Sequence, residues 1–171
     1  MLQRVDEAFP WLRGEIREDC AVIWRLFESL SAKDVESGVS LFHEDCEYRS
    51  AFAATEGGAA YAGHAGLRKY FTTVLELFDV WGLTPTNFVA SDDRIMALCM
   101  FETTGRGSQI TMKQPIGTIW ALRDGLITRG FGFLNVTDAV ESMAAQCGRE
   151  RVEIESLVYE AERARASHEG A

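Results

Sequence analysis

From Thr84 onward the chain reads TPTNFVA, RIMALCMFETT, QITMKQPIGTIWAL and LITRGFGFLNV, strand-textured segments divided by polar turns, and this limits most of what it can become. The punctuation is Ser91-Asp92-Asp93, then Gly105-Arg106-Gly107-Ser108, then Asp124-Gly125. The last pair is a strong hairpin signal, because both residue types tolerate the positive φ that a two-residue turn needs. Strands joined by turns this short run antiparallel, so the segment predicts a four-strand meander. In RIMALCMFETT both alternating sets are apolar: Ile95, Ala97, Cys99 and Phe101 against Met96, Leu98 and Met100. Such a strand is expected to be covered on both faces.

The preceding half has helical spacing. Ile16, Cys20, Ile23, Phe27 and Leu30 recur at steps of four and three and predict a first long helix. After Ser31-Ala32-Lys33-Asp34, the positions Val35, Val39, Leu41 and Phe42 predict a second helix that ends near His43-Glu44-Asp45, with a strand over CEYRSAF behind it. Gly57-Gly58, Gly63 and Gly66 keep the next segment irregular, and Leu67, Phe71, Val74 and Phe78 predict a third helix. Beyond the meander, Thr137 is the expected N-cap of a helix reaching Ala145. Ile154, Leu157, Val158 and Ala161 then draw a narrow apolar stripe on a last, highly charged helix, and the final SHEGA is expected to fray. Helices first and a long antiparallel sheet after them make an α+β arrangement. The expected organisation is an N-terminal extension over 1–15, one domain over 16–146, and a C-terminal helix and tail over 147–171.

Composition excludes several classes. The 171 residues are 47% hydrophobic, enough for one proper core. A net charge of −9 would repel a phosphate backbone, so no nucleic-acid partner is expected. The N-terminal MLQRVDEAFPWLRGEIRED carries acids where a signal peptide needs a continuous apolar segment, and no apolar run approaches membrane-spanning length. A cytoplasmic protein with no membrane partner is the expectation. Cys20, Cys46, Cys99 and Cys147 lie too far apart for a redox pair or zinc knuckle, which predicts four reduced, mostly buried thiols. Three scattered histidines predict no metal site, and no cofactor is expected.

LFHEDCEYRS after the second helix, YAGHAGLRKYF before the third, and TIWALRDGLITRGFGF near the end make the chain resemble the nuclear-transport-factor-2-like superfamily, in particular its SnoaL-like branch. The resemblance implies a cone-shaped α+β barrel: three N-terminal helices packed on a strongly curved antiparallel sheet, with an extra C-terminal helix. That superfamily holds ketosteroid isomerases, scytalone dehydratase, polyketide cyclases, small subunits of ring-hydroxylating dioxygenases and plain binding proteins, so each pattern is matched residue by residue. The ketosteroid isomerase tyrosine and its two aspartates fall on Leu26, Ser50 and Gly117, none of which can do that work. The Tyr-Arg-Ser of scytalone dehydratase falls on Tyr48, Arg49 and Ser50, which gives Tyr48 a pocket role. Its Tyr-Asp pair falls on Leu30 and Ser31, and one of its histidines on Asn87.

The expected catalytic groups are therefore Tyr48, Lys113 and His64. A phenol in an apolar pocket can donate to a developing oxyanion; the alternative is a core tyrosine with a satisfied hydroxyl. Lys113 shares a strand face with Pro115 and Gly117, which the resemblance turns into the cavity, though a longer hairpin would leave it in solvent. His64 belongs to a glycine-flanked mouth loop and could act if that loop folds over the cavity. Ser50, Asn87, Cys99, Phe101, Ile119, Phe131, Tyr61, Leu26 and Leu30 are the expected pocket lining, with Thr103 a further polar contact. Arg129 shares the face of Phe131 and, if buried, would need an acidic ligand or a partner such as Glu102.

The expected function is that of a cofactor-independent lyase, dehydratase or isomerase. It would act by proton abstraction or retro-aldol cleavage on a small apolar, aromatic, hydroxylated or carbonyl compound. The alternatives are a non-catalytic small-molecule-binding protein and a small structural subunit of a ring-hydroxylating dioxygenase. A catalyst needs a strongly shifted titratable group in its cavity, whereas a binding protein need have none. A homo-oligomer, dimer or trimer, is expected because Trp120, opposite Ile119 on its strand, would be costly to leave wet.

Overall fold

The apolar spacing of the first half produces the helices that fill the concave side of one sheet. The computed structural model describes residues 2–52 and 60–169. In chain order these form α1 (Leu2–Ala8), α2 (Gly14–Ser31), α3 (Val35–Val39), β1 (Phe42–Arg49), β2 (Tyr61–Ala62), α4 (Gly63–Glu76), β3 (Phe78–Ser91), β4 (Arg94–Gly105), β5 (Thr111–Arg123), β6 (Leu126–Phe133), α5 (Val136–Cys147) and α6 (Arg151–Glu169). The strands make one mixed sheet in the order β2-β1-β6-β5-β4-β3. The meander β3 to β6 is antiparallel throughout, and β1 joins β6 in parallel. Asp124 and Gly125, with φ of 53° and 75°, close the β5–β6 hairpin opposite the Arg123–Leu126 pair, as their turn chemistry requires.

Local competition moves several boundaries. The second helix stops at Val39, and Phe42 to Asp45 belong to β1 rather than to a helix end. Phe78 opens β3 instead of continuing α4. Asn135, not Thr137, caps α5: its side chain accepts from the Asp138 amide at 2.8 Å, satisfying one of the free donors of the first turn. Ile16 is exposed, so the buried face of α2 begins at Cys20. Ser167, His168 and Glu169 remain helical in α6; Gly57-Gly58 and the last two residues lie outside the described residues. The segment expected as a mere extension reaches the core, with Phe9 packed edge-on against Trp24 and Phe88. No helix among the described residues is long and apolar enough to cross a membrane.

Two cores result, one on each side of the sheet. The concave side joins α2 and α4 to Ile95, Ala97, Cys99 and Phe101 of β4 and to Ile116 and Trp120 of β5. The convex side joins α5 and Ile154 of α6 to Val89, Met96, Leu98 and Ile119. Each such fully buried side chain contributes about 1.5–3 kcal/mol. Gly117 is what lets α5 lie down here, because a Cβ on it would sit 2.3 Å from that of Ala139.

The orientation of β5 and β6 is thus the reverse of that expected. Ile119 and Phe131 are cross-strand partners under the C-terminal helices, and Trp120 points into the concave core, 2% exposed. Its indole N–H donates to Thr118 Oγ1 at 2.8 Å, which satisfies the one polar atom it brings inside. A buried Trp120 supplies no reason for self-association.

Asp92, in the turn between β3 and β4, ties that turn to the linker before α6. It accepts from Arg149 Nε at 3.2 Å and from Ser91 Oγ at 3.1 Å. The guanidinium first, and the hydroxyl second, hold its carboxyl below the usual range. A carboxylate with a lowered folded pKa stabilises above its unfolded value, near pH 4, and loses that contribution as pH falls through the folded one. Asp92→Asn is accordingly expected to melt below the parent protein near neutral pH, with the gap closing at acid pH as the Asp92 carboxylate protonates. Thermal denaturation at both pH values checks this, and equal melting temperatures at neutral pH would refute it.

Candidate functional site

The closed end of the concave side is filled by rings rather than open. Tyr48 stacks on Trp120 with centroids 6.1 Å apart and also touches Tyr70 and Phe71, while Phe27 and Phe42 meet Trp120 edge-on. Two glycines of β6 make room for this stack. A Cβ on Gly130 would lie 2.5 Å from the Trp120 ring, and one on Gly132 would lie 3.3 Å from the Tyr48 hydroxyl.

Open space begins farther along, where the β4–β5 hairpin splays past the helices. A cleft of about 520 Å³ lies there. Its floor comes from the cross-strand pairs Phe101–Gln114 and Thr103–Met112, whose side chains share the concave face because paired residues point the same way. Phe78, at the start of β3, and Phe52, just past β1, are the side walls, with Leu134 beyond the end of β6. Ser50 positions Phe52: its Oγ accepts from the Phe52 amide at 2.9 Å and turns the chain toward the cleft. Trp81 stands edge-on to Phe101 at 5.8 Å. The rim is apolar yet wet, with Ile110 72% and Met112 59% exposed. Thr103, Ser108 and Gln114 supply neutral hydrogen-bonding groups, and no described lining residue is ionisable.

Of the residues expected to form the site, Phe101 and Thr103 line this cleft. Leu26, Leu30 and Cys99 face the same side but are buried in the core; burial pushes the Cys99 thiol far up, so it remains a neutral packing group. Cys20 and Cys46 are also buried and Cys147 is half-buried, all as free thiols. Tyr48 is half-buried in the ring stack, and Tyr61 packs on Tyr70 at 4.5 Å. His64 sits in the first turn of α4, its Nε2 2.8 Å from the Phe42 carbonyl, so the ring fastens α4 to β1 instead of folding over a cavity.

Four of the expected residues, Asn87, Lys113, Ile119 and Phe131, lie on the opposite face. Asn87 pairs with Leu98 on the convex side; it is 2% exposed and its Oδ1 accepts from the Phe88 amide. A bulge between Pro85 and Asn87 shifts the alternation of β3 by one residue and carries it there. Lys113 pairs with Glu102 at 2.9 Å with 60% of its side chain exposed, so it stands in solvent and not in the cavity. Phe131 lies under the C-terminal helices beside Ile119. Arg129 is exposed. Lys113→Ala is therefore expected to leave melting temperature and cleft occupancy unchanged, since exposed ion pairs contribute little. A thermal melt and a ligand titration of that variant check it, and loss of binding would return Lys113 to the site.

Phe78, Met112 and Gln114 escaped the sequence reading. The usable signal was register: once the β4–β5 hairpin is set, Gln114 falls opposite Phe101.

A curved sheet wrapped around helices, opening at one end into an apolar cleft, is the cone-shaped α+β fold. The chain belongs to the SnoaL-like domain family, whose sequence model matches residues 23–130. Among solved structures it is similar to a hypothetical protein of ketosteroid isomerase-like fold from Catenulispora acidiphila in complex with trimethylamine. The two share 15% identity over 76% of this chain and 94% of that one, with a TM-score of 0.59. It is also similar to TerC co-crystallised with polyporic acid, at 23% identity over 72% and 96% of the respective chains and a TM-score of 0.59. A computationally designed 17-OHP binder shares 17% identity over 70% and 92%, with a TM-score of 0.57. Likenesses at this identity establish the fold. No curated protein matches the chain.

Proposed function

We propose that this protein binds a small, planar, largely apolar molecule in the cleft between Phe52, Phe78 and Phe101. The observation that carries the reading is the lining itself: three phenyl rings around about 520 Å³, with only neutral polar groups among the described residues. Clefts of this size hold ligands of drug or steroid dimensions, and a few neutral donors and acceptors orient them. Thr103 and Gln114 suit a carbonyl or hydroxyl on such a molecule. The polyporic acid complex and the 17-OHP binder support the reading by showing that proteins of this fold take ring compounds.

A cofactor-free lyase, dehydratase or isomerase is the second reading, and Tyr48 favours it. Its hydroxyl lies beside Gly132, where Ala51 also approaches, one residue before the wall residue Phe52. A phenol at that border could donate a proton to a ligand oxygen.

The test is a titration with N-phenyl-1-naphthylamine, a neutral dye that brightens in apolar sites, followed by its emission and by the quenching of the four tryptophans, of which Trp81 stands against the cleft residue Phe101. Saturable binding at one molecule per chain, displaced by neutral aromatic ketones or phenols, is expected. An unsaturable response would end the binding reading. Tyr48→Phe then separates the two readings, because a catalyst would keep binding and lose turnover of the displacing compound.

A further inference from the structure

At the other end of β4, remote from the cleft, a groove of about 460 Å³ gathers Arg94, Arg123 and Arg129 in a chain whose net charge is −9. Backbone irregularity builds it. Between the Phe42–Ile127 and Glu47–Arg129 pairs, β1 spends five steps where β6 spends two, and the excess brings His43 and Asp45 to the groove wall. A second register shift lies in the β5–β6 pairing, where β6 spends two steps, Ile127 to Arg129, against one of β5, Leu122 to Ala121. Paired bulges of this kind re-aim side chains and are features of a site more than of a sheet.

The three guanidiniums are not equivalent. Arg94 is held: it pairs with Asp93 at 2.6 Å, donates to Gln146 Oε1 at 3.1 Å, and its side chain is only 13% exposed. It forms a wall, its charge already met. Arg123 contacts the imidazole of His43 at 3.0 Å, and among the described residues neither it nor Arg129 has a carboxylate within ion-pair distance. Arg68 and Arg149, by contrast, each hold one, and Arg151 holds two. The lining carries three guanidiniums against two carboxylates, Asp45 and Asp93, which leaves it net positive. Thr128 also lines it, but its hydroxyl is spent on the Ala121 carbonyl at 3.1 Å.

We propose that this groove is an anion site, separate from the cleft, in which Arg123 and Arg129 take the oxygens of a phosphate or carboxylate group. Planar guanidinium forks match both oxyanions in a two-bond geometry, and an anion between them relieves the repulsion of two like charges in one groove. Asp45 keeps the local charge modest, so the site suits a single anionic group and not a polyanion.

The experiment titrates the whole protein with inorganic phosphate, and in a separate arm with acetate, at constant ionic strength, following proton–nitrogen correlation spectra. Saturable shifts confined to residues 43–45 and 121–129, with affinity at least about ten-fold weaker in Arg129→Ala, are expected. Arg129 is exposed and makes no ion pair among the described residues, so this variant should keep its fold; unchanged N-phenyl-1-naphthylamine binding in the cleft provides the control. Arg123→Lys, which keeps the charge and loses the fork, should weaken binding less than Arg123→Ala. Saturation by phosphate assigns a phosphate group and saturation by acetate a carboxylate, and either supports the site. Shifts that follow chloride equally, or an affinity untouched by Arg129→Ala, would overturn it.

Discussion

Gly130→Ala is expected to lower the melting temperature by about 2–12 °C, from a destabilisation of about 1–3 kcal/mol. In an unstrained position a glycine-to-alanine change stabilises by about 0.4–1 kcal/mol, because the unfolded chain loses freedom. Gly130 lacks the positive φ that would forbid alanine, so only space opposes the change. Space decides the sign: the new methyl carbon would lie 2.5 and 2.8 Å from two atoms of the Trp120 ring and 2.9 Å from that of Tyr48. Neither ring has anywhere to go, since Phe27, Phe42 and Phe71 close the far side. The companion Trp120→Phe relieves the two closest of these contacts, so the double variant should be more stable than the sum of its parts predicts. Thermal denaturation of the three proteins checks this. A Gly130→Ala protein as stable as the parent would mean that the ring stack is not the rigid block described.

At the cleft, Met112→Glu is expected to weaken N-phenyl-1-naphthylamine binding by about ten-fold or more while leaving the fold intact, because an apolar ligand would then have to desolvate a carboxylate at the rim. Met112 is 59% exposed, so the stability cost is small. Phe101→Ala should weaken binding further, through loss of a ring wall, and should also alter Trp81 emission in the free protein, since the two rings meet at 5.8 Å. Because Phe101 is buried, that variant will also be less stable, and binding is therefore to be compared well below its melting temperature. If Met112→Glu bound the dye as tightly as the parent, the ligand would have to sit elsewhere than in this cleft.

The parts of the site that sequence revealed are those with local causes. Phe101 follows from alternation along β4, and the Asp124-Gly125 turn from the conformational tolerance of its two residues. Lys113, Ile119 and Phe131 were legible as one face of β5 and β6, but not which face. The side-chain period in a strand is two, so a single inverted choice moves every residue to the other side. Asn87 was displaced by a bulge whose only trace is one extra residue in β3. His64 read as a loose mouth residue because nothing in YAGHAGLRKYF announces a bond to a backbone carbonyl some twenty residues earlier.

Sequence by itself determined the long helices, the antiparallel meander, the two-sided burial of β4 and the family, because these depend on residue spacing and turn chemistry. Tertiary structure alone decided which apolar face of the sheet is concave, that aromatic rings fill the closed end, and that the usable space lies at the mouth. With α5 and α6 covering one side and α2 and α4 the other, both faces of β4 needed to be apolar, and composition then carries no information about which helices meet which face.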